Sequence, residues 1–104
     1  MAYPTTDEAV IEDFRLWLVD QDPLGEYSYT SVFDCCFAQY LKAREYAIRP
    51  LVRPCSWQEF CEDDHGEIIA SPSSKIPAFI DVAVAVRPRT FGGALNKLNE
   101  LLTA

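Results

Sequence analysis

Residues 34–44, "DCCFAQYLKAR", belong to the strongest helical pattern in the chain. Apolar side chains recur there at the i, i+3, i+4, i+7 and i+8 spacing of one helix face: Phe33, Cys36, Phe37, Tyr40 and Leu41. Ser31 and Asp34 are suitable residues for the start of this helix, and Lys42 and Arg44 suit its last turn. The spacing therefore predicts an amphipathic helix whose apolar face belongs to the core.

The adjacent cysteines of this stretch are predicted to be structural. Consecutive helical residues point about 100° apart, so Cys36 should face the core while Cys35 lies off the apolar face. Two thiols that diverge in this way cannot easily hold one ion. Cys55 and Cys61 are six residues apart and do not form the short-spaced pair that is typical of zinc sites. We expect no metal and no cofactor.

Catalytic signatures are weak in this sequence. His65 is the one histidine and follows Cys61 by four residues, but Gly66 is expected to end the local helix before the two side chains could meet. The sequence has no phosphate-binding glycine loop, no H-E-x-x-H motif and no G-x-S-x-G motif. Gly92 and Gly93 are predicted to permit close packing. We therefore predict no catalytic residue and a protein that is not an enzyme.

Helices are also predicted at both ends of the chain. Thr5 and Glu8 have the spacing of a capping box, which predicts a helix from there to about Val19. Residues 22–25, "DPLG", should end it in a turn. Thr90 is predicted to cap the last helix. The apolar stripe of the first helix is Val10, Ile11, Phe14 and Leu18, with Trp17 at its edge, and that of the last is Phe91, Leu95, Leu98 and Leu102.

The middle of the chain gives mixed signals. Residues 46–52 suit a strand, which Pro50 and Pro54 restrict to a sheet edge. Residues 56–59, "SWQE", match a capping box and predict a short helix that ends by residues 65–66, before a brief strand over 67–70. Residues 76–86 alternate like a strand but also share a helical face, and we favour the helix.

These elements predict a single α+β domain over residues 1–104, mostly helical, with three to five helices and a small β-hairpin or edge strands. We expect the last helix to pack on the second. No apolar run approaches the roughly 20 residues of a membrane helix, and the first ten residues do not resemble a signal peptide. The expected location is the cytoplasm, where the cysteines should remain thiols.

The net charge of −7 is unevenly distributed. Residues 1–34 hold eight carboxylates and one base, Arg15, whereas residues 35–104 hold eight acids and eight bases. A second acidic cluster covers residues 59–67. The sequence has no basic stripe of the kind that nucleic-acid binding requires, so we expect no direct binding of nucleic acid. The acids suit a basic partner surface. The candidate partner-binding residues are Glu59, Glu62, Asp63, Asp64, Glu67, Glu12 and Asp13.

Two stretches carry a resemblance: "FRLWL" with "YSYTSVFDCCFAQYLKA" within residues 14–43, and "RPRTFGGALNKLNELL" at residues 87–102. They resemble small proteins of proteobacteria and their phages that share an AQYL-like helix and a terminal TFG-x-AL helix. This resemblance implies a phage-encoded inhibitor of host defence, such as an anti-CRISPR protein, that binds a basic, nucleic-acid-binding surface of a host protein, for example a CRISPR-Cas component. A homodimeric interaction or assembly module is the alternative.

Overall fold

The computed structural model describes residues 3–31, 33–62 and 64–103, with only the backbone described at Cys61, Glu62 and Ala70. Within these ranges the helices are α1 (Asp7–Val19), α2 (Cys36–Ala43), α3 (Ala78–Ala85) and α4 (Phe91–Thr103). The strands are β1 (Pro50–Arg53), β2 (Ser56–Glu62), β3 (Ile68–Ala70) and β4 (Ser74–Lys75). The predicted α+β class, with several helices and a small antiparallel sheet, is confirmed.

The helix α1 begins one residue later than its capping box suggests. Thr6, not Thr5, is the N-cap, and its hydroxyl oxygen accepts a hydrogen bond from the backbone N–H of Ala9 at 3.2 Å. The helix ends at Val19 as predicted. The following turn is closed by a 2.9 Å bond from the N–H of Gly25 to the carbonyl of Asp22, which returns the chain toward α4.

The sheet is built around β2, and this corrects the predicted helix at residues 56–65. β1 pairs with β2 along one edge, while β3 and β4 pair with different parts of its other edge. All pairs are antiparallel. Partners on both edges satisfy the backbone of β2, and that non-local pairing outweighs a capping signal of only four residues. The edge strand predicted over residues 46–52 forms only as β1, which begins at Pro50, while the brief strand predicted over 67–70 is confirmed as β3.

The helix α2 is shorter than its pattern. Phe33 lies before it and is exposed, so the predicted face loses its first member. Cys36 is fully buried as expected. Cys35 was expected off the apolar face, but it is the N-cap residue, and its side chain is buried as well. A non-helical N-cap does not follow the 100° rotation of helical neighbours, which is why Cys35 is buried together with Cys36.

The helix α4 packs mainly against α3 and α1, not against α2 as predicted. Thr90 caps it, accepting a hydrogen bond from the N–H of Gly93 at 3.1 Å. A β-carbon on Gly92 would lie 2.7 Å from the carbonyl oxygen of Pro23, which confirms the close packing predicted for this glycine. The predicted stripe residue Leu102 is exposed, and Ala94 is buried in the interface instead.

The core contains a cluster of aromatic rings from α1 and α2. Phe14 is its centre, with ring centroids 5.9 Å from Trp17, 5.4 Å from Phe37 and 5.1 Å from Tyr40. Phe91 of α4 extends the cluster at 5.6 Å from Trp17. α3 adds Ile80 and Ala83 to the same core, and its formation confirms the helix favoured for residues 76–86.

Candidate functional site

One exposed stripe runs along α1 opposite the core. It consists of Glu8, Glu12, Leu16, Val19 and Asp20, and we call it the outer face of α1. The spacing of these residues, i, i+4, i+8, i+11 and i+12, places them on one side of the helix and its C-cap. Leu16 and Val19 are 48% and 53% exposed. Two aliphatic side chains are thus held in water between carboxylates.

Much of the chain's positive charge is already paired. Each of the three lysines lies in an ion pair with an acid: Lys42 with Asp34 at 2.9 Å, Lys75 with Asp7 at 3.1 Å, and Lys97 with Glu100 at 3.2 Å. On the outer face of α1, Glu12 pairs with Arg15 at 2.7 Å, and the hydrogen bonds from Arg15 lower the pKa of Glu12. Among the described residues, Glu8 and Asp20 have no basic partner. The outer face of α1 therefore keeps an excess of negative charge.

Asp13, a predicted partner-binding residue, is engaged inside the fold. Its Oδ2 atom accepts hydrogen bonds from the hydroxyls of Tyr40 at 2.6 Å and Tyr46 at 2.7 Å. Its Oδ1 atom lies 3.6 Å from Nε of Arg44. These contacts join α1 to the end of α2 and to the segment after it. The geometry gives this carboxylate a structural role.

Glu59 is similarly occupied. Its carboxylate accepts hydrogen bonds from the backbone N–H groups of Ile48, at 2.8 Å, and of Arg49, at 3.2 Å. It thereby provides hydrogen-bond acceptors for backbone N–H groups of the irregular segment that leads into β1. This neighbour lies eleven residues away along the chain, and no local pattern in the sequence indicates it.

The rest of the second acidic cluster lies where β2 turns into β3. Asp64 and Glu67 are exposed in this connection. The side chain of Glu62 and the whole of Asp63 lie outside the described residues. Because a strand and not a helix precedes them, the helix dipole that would have disfavoured these carboxylates is absent. Their clustering therefore carries less functional information than the sequence suggested.

Burial raises the pKa of several tyrosines. The pKa of Tyr40 is raised by burial and by its hydrogen bond to Asp13, and the same two causes act on Tyr46. Burial also raises the pKa of Tyr27, and it raises that of Tyr3 to about 12. In an unfolded chain these phenols would ionise near pH 10. The folded state therefore favours their neutral form.

An alkaline titration tests this arrangement. A raised folded-state pKa contributes stability that is complete below the unfolded pKa of about 10 and is lost as pH rises through the folded pKa. We expect phenolate absorbance and loss of far-ultraviolet circular dichroism to appear together between about pH 10 and 12. If the phenols of Tyr3, Tyr27, Tyr40 and Tyr46 ionise near pH 10 while the circular dichroism stays unchanged, they are not buried in this way.

Sequence reasoning missed Leu16 and Val19. The signal was available, since both fall outside the apolar stripe of α1 and share the spacing of Glu8 and Glu12. A helical projection of every apolar residue would have shown them on the acidic side. The apolar stripe predicted for α1 included only the residues on its core-facing side and left out these two.

Comparisons with protein-family models, curated proteins and solved structures gave no match. Within the described residues, no three or more His, Cys, Asp or Glu side chains are grouped so that they could hold a metal ion. None of the described helices has the length and apolar character required to cross a membrane.

Proposed function

We propose that this protein acts by binding another protein, and that the outer face of α1 covers a basic surface of its partner. The observation that supports this most directly is the exposure of Leu16 and Val19 between the carboxylates of Glu8, Glu12 and Asp20. Apolar side chains surrounded by charge are typical of a contact that buries a small centre inside a polar rim.

Each part of the outer face of α1 has a separate task in this proposal. The carboxylates of Glu8 and Asp20, which have no basic partner in the described part of the chain, attract the partner's Lys and Arg side chains. This attraction speeds encounter and selects basic partners. Leu16 and Val19 then lose water in the complex, and the burial of their apolar surface stabilises the complex and slows dissociation. Asp13 and Glu59 are left out because internal hydrogen bonds already occupy them.

The biological role that we propose is inhibition of a nucleic-acid-binding host protein by a phage-type protein, with a CRISPR-Cas component as the first candidate. Two arguments support it. The likeness of residues 14–43 and 87–102 to small phage and proteobacterial proteins implies such a setting. A face rich in carboxylates can also compete with nucleic-acid phosphates for a basic channel, because both present negative charge to the same cations.

We expect the protein to raise the plating efficiency of a phage in bacterial strains whose CRISPR-Cas systems target it. Leu16→Ser and Asp20→Lys should each lose most of this effect. Truncating an interface centre commonly costs about 1–2 kcal/mol, or about tenfold in affinity, and reversing a steering charge slows association. With the inhibited effector complex purified, binding measured against salt concentration should weaken as salt rises.

Matched controls separate this face from general damage. Leu102→Ser removes an aliphatic side chain that is 43% exposed on α4, and Asp64→Lys reverses an exposed charge in the β2–β3 connection. Both should inhibit like the wild type. Loss of inhibition in Asp64→Lys but not in Asp20→Lys would show that the partner contacts the β2–β3 connection and not the outer face of α1. If the protein raises phage plating efficiency in none of these strains, the anti-CRISPR role is contradicted.

A self-associating module is the second candidate, favoured by the exposed side chains of Ile68 and Ile69 on β3. β3 lies at an edge of the sheet, and edge strands with exposed apolar residues readily pair with another chain. A molar mass of twice the monomer in sedimentation equilibrium, reduced by Ile68→Lys, would support this alternative over the inhibitor.

A further inference from the structure

A cavity of about 300 Å³ opens between the start of α2, the end of β1 and α3. Its wall is mainly apolar and includes Phe37, Val52, Ile80 and Val84. The hydroxyl of Tyr27, another lining residue, is already bonded to the carbonyl of Val84 at 2.7 Å. This volume is at the lower end of the roughly 300–1,000 Å³ of small-molecule sites.

Two charged residues also line the cavity, and they differ in what they already contact. Oδ2 of Asp81 accepts a hydrogen bond from the backbone N–H of Cys55 at 2.9 Å, which holds the turn between β1 and β2. Arg53 is exposed, and its guanidinium makes no hydrogen bond or ion pair with any described residue. In a chain whose three lysines are all paired, this arginine is a cation with its donors still available.

The adjacent cysteines belong to the same cavity. Both Cys35 and Cys36 line it and both are buried. Burial raises the pKa of each thiol, and for Cys35 it outweighs the opposing effect of the N–H groups of Ala38 and Phe37. Neutral buried thiols behave as small apolar groups. They therefore extend the apolar wall.

We propose that this cavity binds a small aliphatic carboxylate, with the hydrocarbon chain against Phe37, Ile80 and Val84 and the carboxylate on the guanidinium of Arg53. A guanidinium binds a carboxylate through two parallel hydrogen bonds, which fixes the orientation of the ligand. Asp81 also lines the cavity and repels an anion beside it, so the ligand carboxylate is assigned to the guanidinium of Arg53. The proposal is independent of the outer face of α1, because none of that face's residues lines the cavity.

The test uses three probes of equal chain length: octanoate, octanol and octylamine. They are titrated into the ¹⁵N,¹³C-labelled protein at neutral pH, and binding is followed by NMR. Octanoate should shift the resonances of Phe37, Ile80 and Val84, and it should bind at least about tenfold more tightly than octanol, since a charge-assisted hydrogen bond is worth that factor or more. Arg53→Gln should remove this advantage. The control Arg87→Gln changes an exposed arginine that does not line the cavity and should bind octanoate normally.

Each other outcome contradicts the proposal in a different way. Equal affinity for octanoate and octanol would show an apolar site without recognition of the carboxylate. Tighter binding of octylamine would show that Asp81, not Arg53, governs the site. No shift at millimolar octanoate, or shifts confined to other residues, would show that the cavity does not take this class of ligand.

Discussion

Replacing Phe14 with alanine should lower the free energy of unfolding by about 3–5 kcal/mol, the usual cost of truncating a buried phenylalanine. The ring is 0% exposed and packs on rings from both α1 and α2. Its removal leaves a cavity where two helices meet, and it also removes the favourable edge contact with Tyr40. Since small domains are stable by about 5–15 kcal/mol, this one change should bring the protein close to unfolding.

Urea denaturation followed by tryptophan fluorescence measures this effect, because Trp17 stacks on Phe14. Phe79→Ala is the matched control, since Phe79 lies on α3 and is 42% exposed. We expect the control to cost less than about 1 kcal/mol. If Phe14→Ala is as stable as Phe79→Ala, the aromatic cluster is not the core of this protein.

Replacing Asp13 with alanine should cost about 3 kcal/mol, because two phenol hydroxyls lose a charged acceptor. Tyr40 is fully buried, so once Asp13 is removed its hydroxyl has little access to water as a replacement partner. The ion pair with Arg44 is lost as well. The larger part of the cost is the unsatisfied hydroxyl and not the ion pair, because this pair is long, at 3.6 Å, and partly exposed.

Two comparisons isolate the hydrogen-bond network of Asp13. Glu12→Ala removes the neighbouring carboxylate, which is exposed and pairs with Arg15 of the same helix, and should leave the thermal midpoint almost unchanged because exposed pairs contribute little. A double-mutant cycle of Asp13→Ala with Tyr46→Phe should show a coupling of about 1–2 kcal/mol, since both changes break the same bond. Additive effects of the two changes would show that this bond contributes nothing to stability.

The positions of three helices followed from local patterns. The apolar spacing of α1, α2 and α4 predicted each helix to within a few residues, because the 3.6-residue period and the capping residues lie within the segment itself. The apolar side of each helix was also largely correct, with Phe14, Phe37 and Leu98 buried. The wrong predictions of burial lie at the helix ends, at Phe33 and Leu102, where burial depends on contact with another segment of the chain.

The strand β2 shows where local patterns fail. Residues 56–59 resemble a helix start, yet Trp57 pairs with Val52 on one edge and with Ser74 on the other. A strand forms its hydrogen bonds with other segments of the chain, so its own sequence is a poor predictor of those bonds. The helix dipole expected beside the acidic cluster is absent for the same reason, because a strand precedes these carboxylates. Their contact with a basic partner stays a prediction.

The features on which the proposals rest depend on contacts between segments far apart in the sequence. Asp13 meets Tyr46, Asp81 meets the backbone of Cys55, and Arg53 reaches the same cavity as Cys35. Local periodicity tells which side of a segment avoids water, but not which partner covers it. Whether a charged side chain is paired or exposed depends on the neighbour that tertiary packing places beside it. Only the folded chain shows that Asp13 is engaged in internal contacts, while Glu8, Asp20 and Arg53 have no ion pair among the described residues.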